Sequence, residues 1–311
     1  MNIGNINLAY HASFNVIPAD FKKTIHNVTP ENILKQALLL KKYLDIISID
    51  ELFALPEDKM EGKISLTFDD GYDNNFNGIL QKLSEHSIPV TVFLIGNSLK
   101  KKSYWRDKII FLENNKKYLN EFITLFQKNT NIQFDQNHFF KQSKQNNINS
   151  MILDNALDTF IKKNNLHDKI YLNLISDANK LIKSKFVKYG NHTFNHYVMS
   201  SLTYDEQKKE ILSNKNFLST LNVETTDVFA LPFGTYQDIN LDTIKVLNEL
   251  KINKVLLCNN TINNKNNCFE INKIKFLDRL TPSNNIYRLI YNIFKIKFSN
   301  KKTKSQFKDL I

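Results

Sequence analysis

Residues 63–72 read KISLTFDDGY, and this stretch decides the fold. The run KISLTF is typical of a strand, and two acids, Asp69 and Asp70, follow it directly, ahead of Gly71. Neighbouring carboxylates repel, and each raises the pKa of the other. Two explanations account for their placement: an Asp-Gly turn, which needs no chemistry, or a bound cation that offsets the repulsion.

Strands and helices alternate on both sides of this stretch. A strand-like run, NINLAYH, opens the chain, and a helix is predicted over 29–44 because Thr29 suits an N-cap and Pro30 suits the first turn. A helix over NFNGILQKLSEHS (75–87) and a strand over PVTVFLIG (89–96) follow KISLTF. This alternation indicates an α/β fold with parallel strands.

The alternation stops between residues 100 and 184, which are polar and mostly helical in pattern, so we predict a helical insertion there. It resumes at KFVKYGNHT (185–193), and an aromatic, basic helix and tail end the chain over 285–311. Later strands are predicted at DVFALPFG (227–234), NKVLLCN (253–259) and EINKIKFL (270–277), with helices at 203–221 and 238–250.

Composition limits the function classes. The formal net charge of the 311 residues is +11, but the lysines are spread over the chain and form no basic stripe with interleaved aromatics, so we expect no nucleic-acid partner. The two cysteines, Cys258 and Cys268, make no disulfide framework, which favours a reducing compartment. We see neither a secretory signal nor an apolar run of about 18 residues. These features predict a cytoplasmic location.

A second cluster of chemistry follows the strand at 185–191. HTFNH places His192 and His196 four positions apart, a spacing at which two imidazoles can face one metal. The motif is not that of the zincins, because Thr193 stands where their general-base Glu would be. The alternative is a helix start with two ordinary surface histidines.

The acids and the histidines become informative together. One carboxylate and two imidazoles make a set of three protein ligands that leaves positions open for water and substrate, which is typical of a catalytic site. The other carboxylate then stays near the bound water, where it can take a proton. Neighbours on a strand point to opposite sides, so two adjacent acids at its end can have two distinct roles.

Three motifs, TFDDG (67–71), HTFNH (192–196) and ALPFG (230–234), occur in this order. The chain resembles the polysaccharide deacetylases, the NodB-homology group or carbohydrate esterase family 4, over residues 6–99 and 185–280. The resemblance implies a distorted (β/α)-barrel with a helical insertion. We therefore divide the chain into a barrel (1–99 and 185–284), the insertion (100–184) and the C-terminal helix and tail (285–311).

The resemblance also implies the site. Asp69 is expected to be the catalytic base, and Asp70, His192 and His196 are expected to bind a divalent metal, usually zinc, with other divalent ions open. The implied reaction removes an N-acetyl group from an amino sugar, with a backbone N–H near the ALPFG strand holding the oxyanion. The residues expected to line the substrate pocket are Tyr72, Pro232, Phe233 and Gly234.

Two departures from the family pattern matter. Ala230 stands where the usual third motif has an arginine that orients the catalytic base, as in a subgroup resembling FAYPFG. We predict Arg279 as the replacement partner of Asp69; the alternative is a surface arginine. No histidine follows His196, although the family's usual general acid is a late histidine. Either Asp69 returns its own proton to the leaving amine, or His11, at the end of the first strand, serves.

The sequence thus predicts a metal-dependent carbohydrate N-deacetylase. Its expected substrate is an N-acetylated amino sugar, nucleotide-linked or lipid-linked, in surface-glycan assembly. The C-terminal helix can rest on the inner face of an anionic membrane, or simply pack on the barrel. The rival hypothesis is an inactive glycan-binding protein on a deacetylase scaffold, motivated by the missing arginine and the missing late histidine.

Overall fold

The structure is a computed structural model, and it describes residues 4–22, 24–100, 103–264 and 268–298. Nine strands of this part of the chain form one sheet. The strands are β1 (Ile6–Tyr10), β2 (Asp45–Ile46), β3 (Lys63–Phe68), β4 (Val90–Leu94), β5 (Val187–Asn191), β6 (Thr225–Ala230), β7 (Lys254–Leu256), β8 (Phe269–Ile271) and β9 (Ile274–Leu277).

Eleven α-helices lie within the same described ranges, besides short 3₁₀ turns. They are α1 (Pro30–Lys41), α2 (Ile49–Ala54), α3 (Asp73–Phe76), α4 (Ile79–Glu85), α5 (Trp105–Asn114), α6 (Lys116–Thr130), α7 (Phe139–Gln142), α8 (Ser150–Lys163), α9 (Tyr204–Leu218), α10 (Leu241–Glu249) and α11 (Ile286–Lys297).

The sheet curls into a distorted (β/α)-barrel, as predicted. Its strand order is β1-β3-β4-β5-β6-β7-β9-β8, β2 also pairs with β3, and every pairing is parallel except that of β8 with β9. The chain after β9 returns to β1, where Ala9 N–H donates to Leu280 O at 2.9 Å and Leu280 N–H donates to Asn7 O at 2.7 Å. The carboxyl ends of the parallel strands therefore meet at one rim, where such barrels place their sites.

Local sequence explains the elements that build the barrel. The side chain of Thr29 caps α1 by accepting a hydrogen bond from Asn32 N–H, and Pro30 occupies the first turn. Helix α1 then buries Ile33, Ala37 and Leu40 against the sheet side of the molecule. Strand β3 is buried along Ile64–Phe68, as expected for a parallel strand covered on both faces.

Three predicted strands are wrong in extent. The strand predicted at 253–259 is β7, which ends at Leu256. The strand predicted at 227–234 ends at Ala230, because Phe233 and Gly234 adopt positive φ angles that a strand cannot contain. The run EINKIKFL is an antiparallel pair, β8 and β9, because Asn272 and Lys273 have positive φ angles and reverse the chain between them. The predicted helix over 75–87 is also interrupted, at Gly78 with its φ of 151°.

The segment between β4 and β5 carries α5, α6, α7 and α8, and we call it the β4–β5 segment. Its apolar residues, including Phe122, Phe139 and Phe160, belong to one cluster with barrel residues such as Phe229 and Phe276. The segment and the barrel therefore share one apolar core. The helices thus cover one part of the barrel rim.

The described residues include only part of the predicted C-terminal helix and tail (285–311). Helix α11 lies at 286–297, inside the predicted helix, and it buries Leu289 and Ile293. The predicted basic tail beyond residue 298 lies outside the described residues. Among the helices that are described, none combines the length and the apolar character needed to cross a membrane.

Candidate metal centre and pocket

The tandem acids lie in a tight loop at the carboxyl end of β3. Asp69 continues the strand pairing, since its N–H donates to Tyr10 O at 2.9 Å. Asp70 and Gly71 then adopt φ angles of 69° and 85°, so the chain turns sharply between the two acids and the glycine. A Cβ on Gly71 would lie 2.7 Å from Leu94 Cδ2, and the loop therefore requires glycine at this position.

The two histidines are held in a second loop, at the end of β5. Thr193 and His196 have φ angles of 60° and 59°. Side chains stabilise this conformation, because Asn191 Oδ1 accepts from Thr193 N–H at 2.8 Å and Thr193 Oγ1 accepts from His196 N–H at 2.9 Å. The stretch is thus a structured loop, not the start of a helix with surface histidines, and both imidazoles are buried.

Asp70, His192 and His196 converge on one point. Asp70 Oδ1 lies 3.5 Å from His192 Nε2 and 3.3 Å from His196 Nε2, and one ligand atom from each residue fits within 4.8 Å of the others. Asp70 Oδ1 is buried and accepts no hydrogen bond among the described residues. A buried carboxylate oxygen without a donor is costly, and a cation held between these atoms would satisfy it. The donor set therefore fits a divalent metal.

The remaining ring nitrogens fix the orientation of the histidines. His192 Nδ1–H donates to Ala230 O at 2.8 Å, and Nε2 is the ring nitrogen that faces Asp70. His196 Nδ1 is 3.0 Å from Tyr104 Oη. Such outer hydrogen bonds are typical of metal-binding histidines, because they fix the tautomer. Burial lowers the pKa of His196 to about 3, so this ring is neutral, as a metal ligand must be.

The electrostatics of the site favour a positive charge. Burial lowers the pKa of His192, but the nearby carboxylates of Asp69 and Asp70 outweigh it and raise that pKa above its usual value. The negative charge of the two acids therefore dominates the space around His192 Nε2. A divalent cation in that space would offset the repulsion between the acids.

Asp69 is bound to Arg279. Arg279 Nη1 donates to Asp69 Oδ1 at 2.6 Å, and its Nε donates to Leu257 O at 3.1 Å. Burial tends to raise the pKa of Asp69, but Arg279 and then His192 hold it below its usual value, so the carboxylate is ionised. Asp69 Oδ2 lies 3.8 Å from His192 Nε2, next to the point on which Asp70, His192 and His196 converge. The surface-arginine alternative is wrong, because Arg279 is fully buried.

His11 lies in the wall of the same pocket. Its Nδ1 is buried without a hydrogen-bond partner among the described residues. Its ring meets that of His26 edge-on, with centroids 5.4 Å apart, and His26 Nε2–H donates to Pro282 O at 2.7 Å. Sheet closure explains this position, because β1 pairs with the chain around Leu280. His11 thus lies at the pocket, next to the end of β1.

The residues predicted to bind substrate fall into two groups. Tyr72 and Phe233 line the pocket, and the Phe233 ring meets the His196 ring edge-on at 4.7 Å between centroids. Pro232 and Gly234 do not appear in the pocket wall that the described residues form; they make the turn that presents Phe233, in which Gly234 N–H donates to Pro232 O at 2.7 Å.

The pocket has a volume of about 300 Å³, and one side of it was missed by the sequence analysis. That side comes from the β4–β5 segment, which contains no recognisable motif. The available signal for this side of the pocket was the start of α5, where Trp105 is followed by three charged residues, Arg106, Asp107 and Lys108. Charged residues are rarely buried, and all three are buried here. The pocket residues from this segment are Tyr104, Arg106, Asp107, Ile110, Phe140 and Lys144.

Comparisons with known proteins agree with this geometry. The family model described as polysaccharide deacetylase matches residues 57–255, more than half of the 311-residue chain. A search of curated proteins gave no significant match.

Solved structures resemble the whole barrel. The Streptococcus pyogenes deacetylase PplD, in complex with acetate, is 17% identical with a TM-score of 0.56, covering 96% of this chain and 100% of that one. A de-N-acetylase from Aggregatibacter actinomycetemcomitans is 13% identical with a TM-score of 0.56, covering 93% and 99%. IcaB from Ammonifex degensii is 15% identical with a TM-score of 0.51, covering 92% and 95%.

At these identities the solved structures establish the shared fold, and the family match carries the assignment. The match spans both the Asp69–Asp70 loop and the His192–His196 loop, which are the two loops that converge in the pocket. From the fold, the converging loops and the family match together, we conclude that this chain belongs to the polysaccharide deacetylase family and is a hydrolase of the carbohydrate-deacetylating class.

Proposed function

We propose that this protein is a metal-dependent N-deacetylase that hydrolyses the acetamide of an N-acetylated amino sugar. One observation carries the proposal: an ionised, buried Asp69, oriented by Arg279, lies directly beside the convergent atoms of Asp70, His192 and His196. An isolated acid or an isolated metal site would each be compatible with a structural role. Their juxtaposition in an open pocket supports hydrolysis.

The chain's own groups suit this reaction. A divalent cation held by Asp70, His192 and His196 supplies Lewis acidity, which polarises the acetamide carbonyl and acidifies water. Asp69 accepts the proton of the water whose oxygen forms the new bond to the acetyl carbon. The backbone of the turn after β6 is proposed to hold the oxyanion.

Breaking the C–N bond requires a proton on the leaving nitrogen. His11 is proposed to donate it, because His11 lines the pocket and its Nδ1 has no hydrogen-bond partner among the described residues. The products are acetate and a free amine on the sugar. The alternative, in which Asp69 returns the proton that it took, uses only Asp69 and is tested by the same assay with a His11→Gln variant.

The pocket favours a single sugar ring. A volume of about 300 Å³ lies at the small end of ligand sites. The exposed part of the Phe233 ring offers an apolar face on which a sugar ring can stack. Zinc is our proposal for the native ion, because nitrogen and carboxylate ligands suit it. A nucleotide-linked or lipid-linked N-acetylated amino sugar of surface-glycan assembly is the proposed substrate.

A peripheral membrane contact belongs to the same proposal, at the inner face of the membrane. Helix α11 exposes Tyr287 at 80% and Tyr291 at 63%, and Phe298 beyond its end is 74% exposed. Aromatic side chains with neighbouring lysines are typical of helices that lie on an anionic lipid surface. Sedimentation with vesicles containing phosphatidylglycerol, compared with phosphatidylcholine vesicles, tests the contact.

Acetate release from N-acetylglucosamine oligomers tests the activity. We expect activity in the zinc-loaded protein, loss with a chelator, recovery with added zinc, and loss in Asp69→Asn with metal binding retained. If the wild type and Asp69→Asn are equally inert while both bind metal and sugar, the protein is a glycan-binding scaffold and the proposed activity is wrong.

A further inference from the structure

An acid without an ion pair among the described residues lines the pocket from the β4–β5 segment. Asp107 lies in the first turn of α5 and is only 4% exposed, yet it lines the pocket. Its Oδ1 accepts from Asn173 Nδ2 at 2.9 Å. Its Oδ2 is buried and has no hydrogen-bond partner among the described residues. One half of this carboxyl group is therefore fixed, and the other half is vacant.

The surroundings do not neutralise Asp107. The described residues form no ion pair with it, and burial raises its pKa to about 7. The charged and titratable groups that face it are Asp70, Arg106, Tyr72 and Tyr104. A native protein rarely keeps a buried polar atom unsatisfied unless a ligand or a function requires it.

Lys108 and Arg106 flank Asp107 in the chain. Lys108 Nζ donates to Asp154 Oδ1 at 2.6 Å, and the donors of Arg106 are also engaged elsewhere. Its Nη1 donates to Ser143 Oγ at 2.8 Å and its Nη2 donates to Phe140 O at 2.9 Å. The guanidinium also stacks over the Phe140 ring at 4.3 Å. Arg106 therefore holds α5 against α7, and neither of these two bonds involves Asp107 Oδ2.

The backbone fixes Asp107 relative to the metal ligands. Asn173, which orients the carboxyl group, accepts from Asp73 N–H through its own carbonyl at 2.9 Å, and Ile175 N–H donates to Gly71 O at 2.9 Å. The loop that carries Asp70 is thus joined to the residue that positions Asp107. A sugar placed with its acetamide at Asp70 would have Asp107 at the pocket wall beside it.

We propose that Asp107 is a substrate-binding residue, whose Oδ2 accepts a hydrogen bond from a ring hydroxyl of the amino sugar. This inference rests on the proposed function of the same pocket. Asn173 is then a positioning residue. A site that satisfies a buried acceptor only when the sugar is bound discriminates strongly against acyl compounds without that hydroxyl.

The isosteric substitution Asp107→Asn tests this directly. Its Oδ1 can still accept from Asn173, but an amide NH₂ replaces the acceptor Oδ2. The assay uses the zinc-loaded full chain at pH 8, above the pKa of Asp107, with tetra-N-acetylchitotetraose and with p-nitrophenyl acetate, an acyl compound that has no sugar. Asp168→Asn, an exposed acid of the same segment, is the matched control, and thermal unfolding monitors the fold.

We expect Asp107→Asn to raise KM for the oligosaccharide by about 10- to 100-fold, the loss typical of a hydrogen bond to a charged group. The preference for the oligosaccharide over the aryl acetate should fall by the same factor. An unchanged KM would overturn the proposal. A fall in kcat on both substrates with KM unchanged would overturn it too, because Asp107 would then act on the chemistry or on the fold.

A binding measurement distinguishes a failure of the Asp107 proposal from a failure of the proposed deacetylase activity. If the wild type releases no acetate from either compound, the activity is wrong, and calorimetric titration with the oligosaccharide decides the role of Asp107. Weaker binding by Asp107→Asn than by Asp168→Asn would support the role. Equal binding, or no binding by the wild type, would refute it.

Discussion

Arg279 and Asp69 are 210 positions apart in the chain, yet Arg279 Nη1 donates to Asp69 Oδ1 at 2.6 Å inside the barrel. Closure of the sheet creates this contact, because the chain around Leu280 pairs with β1 and β1 pairs with β3. We therefore expect Arg279 to take the place of the arginine that the family usually carries after β6. The pair makes Asp69 both ionised and fixed.

Removal of Arg279 should damage both the fold and the activity. Breaking one partner of a buried ion pair costs about 3–5 kcal/mol of unfolding free energy, and loss of an oriented base lowers kcat by about 100-fold or more. Arg279→Lys should also fail, since lysine cannot reproduce the donors to Asp69 and Leu257 together.

The matched control for this prediction is Arg288→Gln, an exposed arginine on α11. Denaturant unfolding and acetate release should distinguish the two positions. Wild-type kcat in Arg279→Lys would show that the buried pair does not orient the base.

Tyr104 should contribute to metal affinity without touching the metal. Its hydroxyl is 3.0 Å from His196 Nδ1, and loss of such an outer partner typically costs about 10- to 100-fold in metal affinity. We expect Tyr104→Phe to show this loss in a zinc-competition titration. Tyr197→Phe is the control, because its hydroxyl bonds Asp154 and not a metal ligand. Equal affinities of the two variants would contradict the prediction.

His26 should make the protein less stable in mild acid. Burial, and then the neighbouring His11, lower the pKa of His26 from 6.5 to about 4. As the pH falls from about 6.5 to 4, the unfolded chain binds a proton that the folded chain does not, so this contribution to the unfolding free energy is lost, by about 1–3 kcal/mol. Above pH 7 the group contributes no slope.

Urea unfolding between pH 7.5 and 4.5 measures this slope. His26→Gln, which can still donate to Pro282 O, should flatten it, and His86→Gln at the exposed end of α4 should leave it as in the wild type. Identical slopes in all three proteins would assign the acid sensitivity to other groups.

Substitution of Gly71 should be harmful for two reasons, its positive φ angle and the lack of space for a Cβ atom. Gly62 has only the first of these, so it serves as the comparison. Both have positive φ, 85° and 72°, but a Cβ on Gly71 would lie 2.7 Å from Leu94 Cδ2 while a Cβ on Gly62 meets nothing within 4 Å. Gly62→Ala should cost about 1–2 kcal/mol of unfolding free energy and leave activity near wild type. Gly71→Ala should cost more and reduce kcat, because the loop with Asp70 must shift. Equal effects would show that only φ matters.

Much of this architecture was predictable because local chemistry and topology agree. Parallel strands that end in Asp69–Asp70 and in His192 must bring those ends to one rim, and the structure brings Asp70, His192 and His196 together. The family resemblance predicted the distorted barrel, which the structure and the family match confirm. The roles assigned to these residues stay predictions until activity is measured.

Other features were not predictable because they depend on backbone conformation or on distant packing. Positive φ at Phe233 and at Asn272 ended or divided strands whose side chains suit a β-sheet. Asp107 and Tyr104 lie in a segment without a motif, and only the tertiary fold brings them to the pocket. Helical periodicity reports which residues are buried, but not which buried residues face a cavity.

The backbone bonds between residues 71–73 and 173–175 also bear on motion. The amides of Asp73 and Ile175 are donors in two of the backbone bonds that join the Asp70 loop to the β4–β5 segment. Both amides can exchange with solvent deuterium only when this junction separates, so they should open together, with one common free energy. The wall that holds Asp70 and the wall that holds Asp107 are then expected to move as one unit.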